Sequence, residues 1–455
     1  MVGKLLGEGL LLIGAYMHCA GHGYKKVYGE INLYSFQQKT LDDTAKFNRV
    51  AYYFDMGLGK TFIGGEKICQ LDEGINLLVC QKSKIGDWIG HFKKFYPLWV
   101  VFNLTSKKQL AKYIDIFNRY GEFSGHIIGI VNYDLVFRRK ELLTLENFTL
   151  CLDESSIIQN PQTQRTKAIL KMTPSNVILL SGTPTGGKYE NLYSQLRLLG
   201  WDISLKAFEQ NYINWKKIEV GGFFHKVVDK ENPYKNVERL KRKMREHGAV
   251  FIKTEEVYEL PAQNFVQIKV KTTKEYRKFQ KTSIVDIDGR TLVGDSILSK
   301  RIYSRMLCGQ YNAEKLKALR DICESTNDRL IVFYNFDGEL HALREICGEL
   351  ERPVSEINGH GKDLTAYRNE PDSITLIQYK AGARGENLQL SNKIIYFTLT
   401  DEAELFMQSL KRTHRIGQEK PCFYWILLCE NSIEDNEILP TLGIRERYTN
   451  ALFEK

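Results

Sequence analysis

Val50-Ala-Tyr-Tyr-Phe54-Asp55-Met56-Gly57-Leu58-Gly59-Lys60-Thr61 sets the frame for the whole chain. An apolar run ends at Phe54, a glycine-containing loop follows, and a helix is predicted to start at Lys60. Strand, loop and helix in that order is the setting of a phosphate loop, because backbone N–H groups at a helix start can cradle phosphate oxygens. In this reading Gly57, Leu58 and Gly59 form the cradle, Lys60 reaches the β- and γ-phosphates, and Thr61 binds Mg²⁺. The usual pattern has Gly five residues before Gly59, where this chain has Phe54. Later residues make the cradle, so the departure weakens the pattern more than the chemistry.

Outward from this loop, short apolar runs alternate with amphipathic stretches, as in a parallel sheet with helices on both faces. Predicted strands are Val50 to Phe54, Asn76 to Cys80, Ile127 to Val131, Thr149 to Asp153 and Asn176 to Leu180. A second series follows at Leu330 to Tyr334, Ser373 to Tyr379, Lys393 to Thr398 and Phe423 to Leu428. The fold class is α/β, with two lobes of one architecture and short helical insertions between them. The predicted divisions are an extension at 1–30, a first lobe at 31–190, a basic helical insertion at 191–262, a second lobe at 263–440 and a tail at 441–455. Lys235 to Arg245 reads as a basic helix. Val266, Ile268 and Val270 alternate with polar residues as a half-exposed strand, and 274–325 reads as helical.

Leu150-Cys-Leu-Asp153-Glu154 ends an apolar run in adjacent carboxylates, which puts both at the carboxyl edge of a parallel sheet, where ligands bind. Asp153 is expected in the Mg²⁺ shell and Glu154 as the base that deprotonates a water. Near the other end, a helix from Glu402 to Arg415 would align Gln408, Arg412 and Arg415 in one stripe, where a second lobe could reach a nucleotide held by the first.

Composition bounds the rest. The 455 residues suit two or three domains, and 43% hydrophobic with 26% charged residues is ordinary for a globular protein. A net charge of +9 leans toward a polyanionic partner. The nine cysteines form no C-x-x-C pair, so free buried thiols are expected and no metal cluster. His18-Cys19 with His22 offers half a metal site and nothing to complete it. Glu8 interrupts the apolar stretch at the start, and no small-residue cleavage site follows, which argues against an export signal. No segment approaches the roughly 20 apolar residues of a spanning helix, so a cytoplasmic protein without a membrane partner is expected.

Ten segments, in order, resemble the superfamily-two helicase-fold ATPases, and within them the Swi/Snf-type branch of double-stranded DNA translocases. They are Leu33-Tyr-Ser-Phe-Gln37, DMGLGKT, Val79-Cys-Gln-Lys-Ser83 with Trp88, Val131-Asn-Tyr133, and Asp153-Glu-Ser-Ser156 with Asn160-Pro161. Then come Ser181-Gly-Thr183-Pro184, Leu260-Pro261, Ile331 to Phe336, Ala381 to Leu388, and Gln408 to Gln418. The resemblance implies two tandem RecA-like lobes, with ATP and Mg²⁺ as cofactors. It also implies an adenine contact at Gln37, coupling through Ser181, Thr183 and Gln408, and phosphoryl-stabilising arginines at Arg412 and Arg415. By the same resemblance Lys82, Ser83, Tyr133, Gln378 and Asn387 face nucleic acid. Ser156 stands where the family often has His, so looser coupling between the lobes is expected. Gln81 replaces a proline, and Thr185-Gly186-Gly187 replaces a more polar extension. The compact form resembles phage and bacterial members, which points to a bacterial or phage-infected cytoplasm.

The expected function is an ATP-driven motor on double-stranded DNA, acting as a monomer. A strand-separating helicase, with single-stranded DNA or RNA as partner, is one alternative; an ATP-gated nucleic-acid clamp is the other. Pro371-Asp372 with Gln378-Tyr-Lys380 hints at a nuclease, but the gap is short and the strand leads straight into Ala381-Gly382.

Overall fold

The computed structural model describes residues 31–119, 125–220, 222–382 and 387–454. The N-terminal extension, including His18, Cys19 and His22, lies outside them, as do four residues, 383–386, of the segment Ala381 to Leu388.

Strands β1 (Arg49–Phe54), β2 (Ile75–Cys80), β3 (Val100–Asn103), β4 (Ile127–Asn132), β5 (Thr149–Asp153) and β6 (Asn176–Ser181) alternate with helices. A hairpin, β7 (Trp215–Val220) and β8 (Phe223–Val228), and a helix, Val237–Glu246, precede β9 (Ala249–Ile252). The first sheet runs β3-β4-β2-β5-β6-β1-β9 and is parallel throughout. Its strands are nearly continuous apolar runs because both faces are covered. Along β1, Val50, Tyr52 and Phe54 enter one core while Ala51 and Tyr53 enter the other.

The second lobe repeats the plan. After β10 (Gln263–Val270) comes a hairpin, β11 (Ile284–Ile287) and β12 (Arg290–Val293), followed by β13 (Leu330–Tyr334), β14 (Val354–Asn358), β15 (Gly361–Asp363), β16 (Ile374–Gln378), β17 (Lys393–Tyr396) and β18 (Cys422–Cys429). The sheet order is β10-β18-β17-β13-β16-β14-β15, and only β15 pairs antiparallel. The two sheets form two RecA-like lobes of an α/β chain.

Three details depart from the sequence reading. The stretch 274–325 is three helices, Lys274–Thr282, Ile297–Cys308 and Ala313–Glu324, with the β11–β12 hairpin between the first two. Its two-residue turn, Asp288-Gly289, has positive φ at both positions, the combination a tight hairpin requires. The tail expected at 441–455 lies mostly within a helix, Leu439–Phe453. Leu442 packs in the second-lobe core and Leu452 with Phe453 in the first, so one helix spans both lobes. That helix explains Gly187, at φ +78: a Cβ there would lie 2.4 Å from the Arg445 carbonyl oxygen. Finally, the helix predicted from Glu402 to Arg415 stops early, at Ala403–Leu410.

Eight cysteines are described, all free and all buried except the half-buried Cys69. Cys308, Cys429 and Glu434 stand together, with the carboxylate of Glu434 matched by Lys315 at 2.6 Å. Among the described residues no helix is long and apolar enough to cross a membrane.

Candidate active site at the lobe junction

The loop between β1 and the helix Lys60–Leu71 turns through Gly57 (φ +89) and Gly59 (φ +69), backbone conformations that a side chain would strain. Lys60 Nζ donates to the carbonyls of Phe54 (3.0 Å) and Asp55 (3.3 Å). Burial lowers the Lys60 pKa, while the carboxylates of Glu154, Asp55 and Asp153 act to raise it and Arg415 adds to the lowering. Lys60, the carboxylate pair and an arginine of the other lobe therefore share one electrostatic site.

Asp153 ends β5, and Glu154 turns away from it in the left-handed conformation (φ 56, ψ 59). Trp88 Nε1 donates to Asp153 Oδ2 at 2.8 Å. Burial, reinforced by the neighbouring Glu154 carboxylate, pushes the Asp153 pKa upward. Glu154 Oε2 is buried and, among the described residues, has no hydrogen-bond partner. A buried orphan carboxylate oxygen is costly unless water or a cation completes it. With Thr61 in the first turn of the loop's helix, the donor set is all oxygen and fits Mg²⁺.

Gln37 is buried, and its amide is engaged with the loop. Nε2 donates to Leu58 O (2.8 Å) and Gly59 O (3.3 Å), and Oε1 accepts from Tyr34 N (3.0 Å). Ser181 Oγ accepts from Thr183 N at 3.2 Å, and the Thr183 hydroxyl is buried without a partner among the described residues.

From the second lobe, Arg415 lies against the loop: a Cβ on Gly57 would be 3.4 Å from Arg415 Cβ and 3.6 Å from its Nε. Asn387 Oδ1 accepts from Arg415 Nη1. The single stripe expected for Gln408, Arg412 and Arg415 does not form. After Leu410 the chain goes into turns, with Arg412 N bonded to Ser409 O and Gln418 N to Arg415 O, and Leu388 N takes the Arg412 carbonyl. Arg412 is buried, at 2% exposure, while Arg415 lies against the loop.

Contacts between lobes surround this site, and the sequence pointed to few of them. Lys411 Nζ pairs with Asp55 Oδ2 at 2.8 Å and with Glu255 at 3.3 Å. Burial acts to raise the Asp55 pKa, but the Lys411 ammonium and the Thr254 hydroxyl hold it below the usual carboxylate range. Ser156 Oγ donates to Glu404 Oε1 at 3.0 Å, and Gln159 Nε2 to Glu404 Oε2 at 3.4 Å. Gln408 Nε2 adds a third donor to Glu404 at 3.1 Å. Ser156, standing where the family often has His, thus still reaches the second lobe through a direct hydrogen bond. Lys411 and Glu404 carry no signal in sequence beyond lying next to Arg412 and one helical turn before Gln408.

The residues assigned to nucleic acid divide. Lys82 and Ser83 are exposed in a single 3₁₀ turn after β2. Tyr133 is corrected: it is 3% exposed, and its hydroxyl donates to Asp153 O at 2.9 Å, so it props the carboxylate turn from within. Gln378 Nε2 donates to Asn335 O at 3.2 Å, and its Oε1 accepts from Gly359 N at 3.2 Å. Asn387 is exposed and tied to Arg415.

Two α/β lobes with a glycine phosphate loop on one and an arginine on the other define a two-lobed nucleotide-binding protein. Residues 51–327 match the model of the SNF2-related domain, and the chain belongs to that family. It is 24% identical over 473 residues to the ISWI chromatin-remodeling complex ATPase ISW1 of Saccharomyces cerevisiae, covering 94% of this chain and 40% of that protein. The putative ATP-dependent helicase/translocase YwqA of Bacillus subtilis is 21% identical over 426 residues, covering 84% and 44%. The chain therefore spans about two-fifths of the length of the curated relatives it matches. Among solved structures, the Sulfolobus solfataricus SWI2/SNF2 ATPase core in complex with dsDNA matches at TM-score 0.44 and 19% identity, over 94% of this chain and 98% of that one.

Proposed function

We propose that the protein is an ATP-driven motor that moves along double-stranded DNA without separating its strands. The observation that carries this reading is the convergence of Lys60, Asp153, Glu154 and Arg415 on one glycine loop, with groups from both lobes. Backbone N–H groups of Gly57 to Lys60 bind phosphate oxygens, and Lys60 shifts from its two carbonyls to the β- and γ-phosphates. Thr61 and Asp153 would hold Mg²⁺, which when bound would neutralise charge on the phosphates. Glu154 takes the proton of the attacking water. Arg415 stabilises charge on the transferring group, and Arg412 holds the turn that presents Arg415. Gln37 sits at the adenine side, beside Tyr34.

In this reading ATP favours contact between the lobes and release of products favours their separation. Ser156–Glu404, Lys411–Asp55 and the helix Leu439–Phe453 carry that cycle from one lobe to the other. Exposed Lys82 and Ser83 contribute to the duplex contact. The relatives' printed names, a chromatin-remodeling ATPase and a helicase/translocase, support a motor on DNA. Strand separation stands as a second reading, favoured by one observation, the projecting hairpin β7–β8.

ATP hydrolysis measured over duplex DNA, single-stranded DNA and RNA tests the proposal, together with displacement of a third strand bound in the major groove. Duplex DNA is expected to stimulate most, with the third strand displaced and a forked duplex left paired. Fork opening with the third strand retained overturns it in favour of a helicase. Hydrolysis with neither outcome identifies a clamp.

A further inference from the structure

Between β6 and β9 of the first sheet the chain forms the β7–β8 hairpin, a two-stranded ribbon that pairs with neither lobe's sheet. Its root is fixed: Trp215 and Val228, opposite each other, pack on the first-lobe core, and Lys226 Nζ lies 4.0 Å over the Trp215 ring. Its far end is not covered. Phe223 and Phe224 are each 74% exposed, and Ile218 is 42% exposed. Two adjacent exposed phenylalanines on a ribbon that gains nothing from them in packing need a reason outside the folded chain.

The register gives that pair a shape. Val220 is opposite Phe223 and Glu219 opposite Phe224, and consecutive residues of a strand point to opposite faces. The tip thus carries one aromatic ring on each face, with Gly222 (φ +79) in the turn and nothing within 4 Å of where its Cβ would be. A thin tip with a ring on either side is a wedge.

Charge indicates what the wedge meets. Residues 214–247, the hairpin and the helix after it, hold ten Lys and Arg against five Asp and Glu, so these 34 residues carry +5 of the chain's +9. Arg239, Lys243 and Arg242 of that helix act on the Tyr212 hydroxyl, and Tyr212 is at the hairpin's root, where its carbonyl accepts from Lys235 N. Lys217 is exposed on the ribbon itself. A basic root supplies phosphate contacts, and bare rings at the end of an arm anchored at its base supply stacking surfaces for unpaired bases.

We propose that this hairpin is a base-contacting wedge that recognises DNA where paired strands give way to unpaired ones, by stacking Phe223 and Phe224 on the exposed bases at the junction. The inference rests on the DNA-motor reading and narrows its substrate class to branched or forked duplexes. Binding is measured without ATP, so failure of the motor and failure of the wedge are told apart.

The test compares equilibrium binding of a forked DNA, carrying 2-aminopurine at the junction, with that of a blunt duplex of equal length. The parent protein should bind the fork about tenfold more tightly and change the 2-aminopurine fluorescence, in keeping with the known cost of losing one or two base-stacking aromatics. F223A/F224A should lose that preference and that signal. Its blunt-duplex affinity, salt dependence and DNA-free ATP hydrolysis should stay at parent values, and F223W/F224W should restore the preference. Fork binding unchanged in F223A/F224A overturns the proposal. So does equal loss on fork and blunt duplex, or a parent without fork preference, which would leave the ribbon as a surface for another protein.

Discussion

The Ser156–Glu404 hydrogen bond should couple hydrolysis to lobe contact, and Ser156→Ala tests it by removing one donor while leaving the nucleotide groups untouched. A neutral donor on a carboxylate in a partly buried setting contributes about 1.5 to 3 kcal/mol, and each 1.4 kcal/mol is about tenfold in a population or rate. Glu404 also accepts from Gln408 at 3.1 Å and, over a long 3.4 Å, from Gln159. Ser156→Ala should therefore lower DNA-stimulated turnover by about tenfold, and Glu404→Ala, which frees all three donors, by about 100-fold. ATP affinity should stay within a few-fold of the parent in both. The assay is a double-mutant cycle on the DNA-stimulated rate: the double variant should be no slower than Glu404→Ala alone, since the serine has nothing left to lose. Fully additive effects, or Ser156→Ala at the parent rate, would show that the hydrogen bond carries no coupling.

Glu154→Gln should keep Mg-ATP binding and abolish hydrolysis, because an amide cannot take the proton from water, whereas Lys60→Ala should weaken binding itself; nucleotide titration alongside phosphate release separates them. Arg415→Ala should cut turnover by about 10³ to 10⁵ at nearly unchanged ATP affinity. Arg412→Ala, by contrast, empties a buried position and should lower the melting temperature as well. Glu339 is fully buried, with Oε2 accepting from Asn335 N, Phe336 N and Thr398 Oγ1, and burial raises its pKa to about 7. Its folded-state pKa lies above the ordinary value, so its contribution is complete below about pH 4.5 and lost as pH rises through 7, a swing of about 3 kcal/mol. Glu339→Gln should flatten that part of a urea-denaturation profile taken from pH 5 to 8, and an unchanged slope would exclude the assignment.

How far the sequence could be read follows from the range of each signal. β5 and β13 appear at the predicted bounds, since a strand buried on both faces is an apolar run written in consecutive letters. The alternately buried strand β14 and the exposed edge strand β15 carry no such apolar run. The hairpin turn at Asp288-Gly289 is a legible Asp-Gly signal, but it sits in a stretch whose flanks have helical composition. The loop Gly57 to Thr61 and the pair Asp153-Glu154 were legible because the chemistry needs those residue types side by side. The inter-lobe contacts were not: Lys411 meets Asp55, and Glu404 meets Ser156, across some 250 to 350 residues of chain. Likewise the helix predicted to end at Arg415 ends at Leu410, and beyond it the Arg412 carbonyl accepts from Leu388 N, a partner 24 residues away that a local pattern does not reveal. A helical stripe would have pointed Gln408, Arg412 and Arg415 the same way. The turns that replace it bury Arg412 and bring Arg415 to Gly57. If that break divides the work of the two arginines, Arg412→Ala should cost stability and Arg415→Ala turnover at parent stability; equal loss of turnover with no loss of stability in both would show that they act together.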